Sequence, residues 1–145
     1  MKKITPFLWY NAKADEVAKF YCSVFKDSKI IRKNGNSVTF RIKDQELIAF
    51  NGGPLFKFTH AFSLSVPCKT QKEIDYYWGK LLKGGEKSRC GWLKDKYGLS
   101  WQIIPEILGD LLGSKDAVKA NRAFQAMMKM DKIDIKALKK AYNEK

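Results

Sequence analysis

Few residues in this chain of 145 could do chemistry by themselves. It has one histidine, His60, and three cysteines, Cys22, Cys68 and Cys90. An imidazole can serve as general base or substrate hydrogen-bond partner near neutral pH, so His60 is a catalytic candidate. Following Phe58-Thr59, it reads first as a solvated loop histidine. Cys90 is a candidate nucleophile, but no second histidine exists to activate it. Beside Gly91-Trp92 it reads better as a small packing residue. An odd number of cysteines without C-x-x-C spacing argues against a disulfide framework and a structural zinc site, and suits a reducing cytoplasm. Gly52-Gly53-Pro54 is a turn rather than a phosphate loop, because no Gly-x-x-x-x-Gly-Lys pattern is present.

The elements that would position these residues come in a repeated order. Ile4–Tyr10 reads as a buried strand, rich in aromatic and β-branched residues. A helix over about 12–25 follows, with Val17, Phe20, Tyr21, Val24 and Phe25 on one core-facing stripe and Asp15 and Glu16 in its first turn. Three short strands, Lys29–Lys33, Ser37–Lys43 and Glu46–Asn51, are separated by the turns Asn34-Gly35-Asn36 and Asp44-Gln45. The plan then restarts. Ala61–Val66 reads as a strand, and a helix over about 70–83 carries Ile74, Tyr77, Trp78, Leu81 and Leu82. That stripe lies 57 residues after the first, position for position, and its helix stops at Gly84-Gly85. Strand-like pieces follow around Lys87–Ser88, Gly91–Lys94 and Leu99–Ile104, the last two joined by a turn at Asp95–Gly98. The fold class is therefore α+β: one domain over 1–145, with modules at about 4–51 and 61–104 and a helical tail at about 106–143. The tail holds helices at Glu106–Leu112, Asp116–Met130 and Ile133–Tyr142, and its Met127 and Met128 read as packing residues.

Composition narrows the partners. The net charge of +13 is spread as +6 over residues 1–60, +4 over 61–105 and +3 over 106–145, and lysine outnumbers arginine. A nucleic-acid site usually gathers arginine and stacking aromatics into one stripe, so the charge reads as a solvated surface, with no specific nucleic-acid partner. No apolar run approaches the roughly 18 residues of a membrane span. The first residues, Met1–Pro6, carry no secretory leader, which with the cysteines gives a cytoplasmic reading.

Three segments together resemble one family. They are Ile4–Tyr10 with Phe20-Tyr21, Phe50–Pro54, and above all the run Cys90–Ile103, CGWLKDKYGLSWQI. They are similar to the PhnB-like family, often labelled 3-demethylubiquinone-9 3-methyltransferase, of the glyoxalase/bleomycin-resistance (vicinal oxygen chelate) superfamily. The similarity is read as including the tail, through Met127–Met130 and Lys132–Ile135. It implies paired βαβββ modules whose sheets curve around a cavity, and a homodimer. Metal-dependent members of the superfamily hold a divalent ion with His and Glu; the matching positions here are Pro6, Ala49 or Phe50, Ser63 and Gln102. Pro, Ala and Phe cannot ligate and neutral Gln replaces a carboxylate poorly, so no metal is expected. The methyltransferase label needs a Gly-rich strand-to-helix turn for S-adenosylmethionine; none is present, and no cofactor is expected. The resulting expectation is a metal-free small-molecule-binding protein with Phe7, Phe50, Phe62 and Leu64 lining the cavity and Gln102 as polar anchor. The alternative is an enzyme on an unknown small substrate, using His60, Gln102 or Cys90.

Overall fold

The computed structural model describes residues 2–144, which divide into two compact units, one up to Phe58 and one from Thr59. The first unit runs β1 (Phe7–Tyr10), α1 (Ala14–Val24), β2 (Ser28–Asn34), β3 (Ser37–Ile42) and β4 (Gln45–Asn51). Its four-stranded sheet has the order β1-β4-β3-β2. β1 lies parallel to β4, and the other pairs are antiparallel. Strand alternation sends Leu8, Tyr10, Val38, Phe40, Leu47 and Ala49 to one face, where all are buried. α1 covers that face with Val17, Tyr21 and Val24, the stripe expected from the helical period. The Tyr21 ring stacks on Phe40 at 5.8 Å, and the Tyr10 and Tyr21 hydroxyls share a buried hydrogen bond of 2.9 Å.

The second unit repeats this plan: β5 (Ser63–Cys68), α2 (Gln71–Leu82), β6 (Glu86–Lys87), β7 (Trp92–Lys94) and β8 (Ser100–Pro105). Its sheet order is β5-β8-β7-β6, again with the first strand parallel to the last. Buried Ile74, Trp78 and Leu81 on α2 occupy the same stripe positions as Val17, Tyr21 and Val24 on α1. Paired βαβββ modules are thus the architecture. α2 is capped at both ends. The Thr70 hydroxyl accepts from the Glu73 amide at 3.2 Å, and Gly84, at φ +80°, ends it in the left-handed conformation.

The repeat is not uniform. The two helices are 57 residues apart, yet the helix-facing strand residues Leu8 and Tyr10 correspond to Val66 and Cys68, 58 apart. The cause is the link between strand and helix: three residues, Asn11–Lys13, in the first module but only Lys69-Thr70 in the second. A single-residue slip exchanges the two faces of a strand.

α3 (Ile107–Leu112), α4 (Ala117–Met128) and α5 (Ile135–Asn143) complete the second unit. Leu108, Leu111, Ala123, Ile133 and Leu138 form their shared buried core. α4 ends two residues earlier than its periodicity suggests, because Met130 and Asp131 turn their carbonyls to the amides of Cys90 and Gly91, both at 2.8 Å. Gln71 fastens α5 with its side-chain amide: Nε2 donates to the Ile133 carbonyl and Oε1 accepts from the Ile135 amide, each at 2.9 Å. Lys132 adds an ion pair to Asp75 at 2.8 Å and, with Gln71, holds that carboxyl below its usual range. Among the described residues no helix is long and apolar enough to cross a membrane.

Candidate functional site

The face of the first sheet turned away from α1 is aromatic. Register places Phe7 and Trp9 of β1 beside Ile48 and Phe50 of β4 on that side. The Phe7 and Phe50 rings lie 5.3 Å apart, Trp9 meets Phe50 edge-on at 5.2 Å, and Phe56 meets Trp9 edge-on at 4.9 Å. Phe7 and Phe56 are nonetheless 57% and 59% exposed, costly for rings of that area with nothing further to cover them. Trp9 is fixed in place: its indole N–H donates to the Gly53 carbonyl at 3.0 Å, and its ring lies flat against Gly52 where a Cβ would stand. Gly52→Ala should therefore displace the Trp9 ring and change the near-ultraviolet circular dichroism, with global unfolding altered by no more than about 3 kcal/mol. An unchanged aromatic spectrum would show that the contact does not hold the ring.

The corresponding face of the second sheet is polar. Ser63 and Ser65 of β5, Ser100 and Gln102 of β8, and Trp92 and Lys94 of β7 alternate onto the side away from α2. Gln102 Nε2 donates to the Ser63 hydroxyl at 3.0 Å. Ser100, fully buried, shares a 3.3 Å hydrogen bond between its hydroxyl and His60 Nδ1, and the His60 ring meets Trp92 edge-on at 6.3 Å. A shallow, open depression of about 300 Å³ is lined by His60, Ser88, Arg89, Cys90 and Trp92.

Of the residues singled out in the sequence, Phe7 and Phe50 share one sheet face, and His60 and Cys90 line one open depression. Gln102 pairs in register with Trp92, which lines that depression. Leu64 does not share a face with Gln102: it pairs with buried Trp101, on the α2 side, because of the one-residue slip. Phe62 precedes β5 in a turn and is 40% exposed. Sequence reasoning passed over Phe56 as a contact residue and named Ser63 only as a position matching a metal ligand. Phe56 had a signal in Leu55-Phe56-Lys57-Phe58, apolar but for Lys57.

The donor set does not fit the superfamily's divalent metal. Ala49 is buried against α1, Pro6 offers only a carbonyl that already accepts from the Ile48 amide, and the Ser63 hydroxyl is engaged by Gln102. Among the described residues no three His, Cys, Asp or Glu side chains gather into a metal-holding group. S-adenosylmethionine fits no better. The start of α2 is closed by its own residues, with Glu73 Oε1 accepting from the Lys69 amide at 3.2 Å beside the Thr70 cap. The Asn11–Lys13 turn before α1 contains no glycine to admit a ligand against the backbone.

The fold recurs among solved structures. FosX, the fosfomycin resistance protein of Listeria monocytogenes complexed with Mn(II) and sulfate, aligns with a TM-score of 0.60 at 14% identity, covering 77% of this chain and 95% of that one. A Pseudomonas aeruginosa protein aligns at 0.61 and 15%, covering 73% and 98%. At those identities the likeness is one of fold alone. The PhnB protein of Bacillus cereus is nearer: TM-score 0.64 and 35% identity, over 72% of this chain and 99% of that one. The family model described as 3-demethylubiquinone-9 3-methyltransferase matches residues 2–104. The chain belongs to this PhnB-like family. A comparison with curated proteins gave no match. The family match ends at Ile104, so the tail, expected to share the resemblance, lies outside it.

Proposed function

We propose that this chain binds a small, largely apolar or aromatic organic molecule, using neither a metal at the superfamily position nor S-adenosylmethionine. The exposed aromatic face of the first sheet carries this reading. Phe7 and Phe50 offer rings whose burial by a ligand is favourable by desolvation, and Trp9, itself met edge-on by Phe56, meets Phe50 edge-on. Taken by itself, the second unit offers Phe62 and Gln102 as proposed contacts, the Gln102 amide being oriented by Ser63. Leu64, on the α2 side, is left out of the set.

Native mass spectrometry of freshly purified protein should show a copurifying small molecule. Phe50→Arg should weaken its binding roughly tenfold or more, about 1.4 kcal/mol per decade, while the fold is retained. Gln102→Leu should also weaken binding, at a stability cost of about 1 kcal/mol for the lost hydrogen bond. Wild-type affinity in both variants would sink the reading. Micromolar binding of S-adenosylmethionine by calorimetry would restore the methyltransferase label. The three cysteines are free, which suits a reducing cytoplasm. A homodimer is proposed as well, and the exposed Val118, Phe124 and Met128 on α4 favour it. Sedimentation showing only monomer at micromolar concentration would count against it.

A further inference from the structure

The aromatic face of the first sheet changes character from one edge to the other. Register aligns Phe7 of β1, Ile48 of β4, Thr39 of β3 and Arg32 of β2 in one row across it. Directly opposite residues share a face, so this row runs from ring to hydroxyl to guanidinium. Arg32 reaches the face through a β-bulge. The pairing of β2 with β3 shifts by one residue between Ile30 and Arg32, which sets Arg32 opposite Thr39 rather than Val38. Lys33, next in the chain, therefore turns to the other side and pairs with Asp15 of α1 at 2.5 Å. An uninterrupted register would exchange these two cations.

Most other polar groups on the face are already engaged. The Ser37 hydroxyl donates to the Asn34 carbonyl at 3.0 Å, Arg41 donates to the Asp27 carboxylate at 3.3 Å, and Glu46 lies 3.8 Å from the Lys3 ammonium. Lys29 stands opposite Arg41, one row beyond Arg32. Thr39 differs. It is only 7% exposed, yet its hydroxyl has no hydrogen-bond partner among the described residues, and the Arg32 guanidinium has none either. A hydroxyl so enclosed is costly to leave unpaired, and an acceptor on a ligand would relieve that cost.

We infer that the ligand of this face is a small aromatic carboxylate, an inference that rests on the aromatic-face reading and adds an acid group to it. The ligand ring lies over Phe7 and Phe50, and its carboxylate accepts from the Thr39 hydroxyl and the Arg32 guanidinium. Neighbouring strands are about 4.8 Å apart, so an acid on a short chain from a ring above β4 reaches β3. The long Arg32 side chain meets it from β2. A guanidinium fork matches a planar carboxylate through two parallel hydrogen bonds and stays charged wherever the ligand is ionised. The strands also set Lys29, Arg32 and Arg41 on this face against Glu46, a balance that favours an anion.

The test is calorimetric titration of the full chain with trans-cinnamate and with cinnamamide, its neutral isostere. Cinnamate should bind at least roughly tenfold more tightly, as expected of hydrogen bonds to a charged group. Arg32→Gln should remove that advantage and Thr39→Val should reduce it severalfold, with cinnamamide affinity unchanged in both. Arg32 is exposed, so its substitution tests the anchor without disturbing the core. Lys33→Gln deletes the same charge from the α1 side of the same strand and should leave both affinities as they are. Phe50→Ala should weaken both probes equally. Equal affinity for the two probes, with both weakened by Phe50→Ala, would overturn the carboxylate and leave the aromatic face standing. Cinnamate binding unaffected by Arg32→Gln would overturn the anchor, and binding unaffected by Phe50→Ala would overturn the aromatic face beneath it. Failure of both probes to bind at millimolar concentration would overturn the inference, whereas the aromatic face is judged separately by the copurifying molecule.

Discussion

Asp95→Ala should lower the unfolding free energy by about 2–4 kcal/mol, among the largest effects of any single side-chain truncation in this chain. Asp95 is 2% exposed and sits at the turn between β7 and β8. Its Oδ1 accepts from the amides of Tyr97 and Leu99, at 2.8 and 3.1 Å, and its Oδ2 accepts from the Trp101 indole at 2.9 Å. Truncation leaves the Leu99 amide and the Trp101 indole N–H buried without this acceptor, and each such loss costs about 1–3 kcal/mol. Tyr97 is only partly buried, so water can replace the carboxylate there. Asp95→Asn should fall between alanine and wild type, because one carboxamide oxygen can serve the turn or the indole but not both. Urea denaturation measures this directly. A midpoint for Asp95→Ala within about 0.5 kcal/mol of wild type would show that the network contributes no more than an ordinary surface position.

Gly91→Ala is the second expected large effect, of about 2–5 kcal/mol. The left-handed backbone costs a non-glycine residue about 1–2 kcal/mol. The new methyl also presses on the Ile103 carbonyl and the Ile104 and Ile133 side chains, and overpacking of that kind costs about 1–3 kcal/mol. Gly98→Ala is the matched control. Its φ is +89° but a Cβ there meets nothing within 4 Å, so only the backbone cost should be seen. The gap between the two variants isolates the close packing at Gly91, against Ile103 and Ile104 of β8 and Ile133 of the tail. Limited proteolysis should then cut the segment around 129–134 faster in Gly91→Ala than in wild type. Equal stability of the two glycine variants would mean that these contacts yield without cost.

The element order, both modules and both helices were legible in the sequence because the signals are local. An amphipathic stripe such as Val17, Tyr21 and Val24 needs only the helical period, and expected spans of about 12–25 and 70–83 became Ala14–Val24 and Gln71–Leu82. Turns at Gly35, Gly84 and Gly98 were equally readable, since each takes a positive φ that glycine accepts without strain. The motif Cys90–Ile103 identified the family for the same reason: it is contiguous.

What tertiary structure alone decided is which residues meet. The parallel pairing of β5 with β8 placed Leu64 beside Trp101 and Ser63 within reach of Gln102, and one residue fewer in the Lys69-Thr70 link reversed the faces expected from a constant offset. Asp95 reads in sequence as an ordinary turn residue; only the return of β8 brings Trp101 over it. Cys90 and Met128 are 38 residues apart, and no periodicity links them. Their contact arises because two consecutive left-handed residues turn their amides toward the tail, a backbone geometry that long-range hydrogen bonds hold in place and local propensity disfavours.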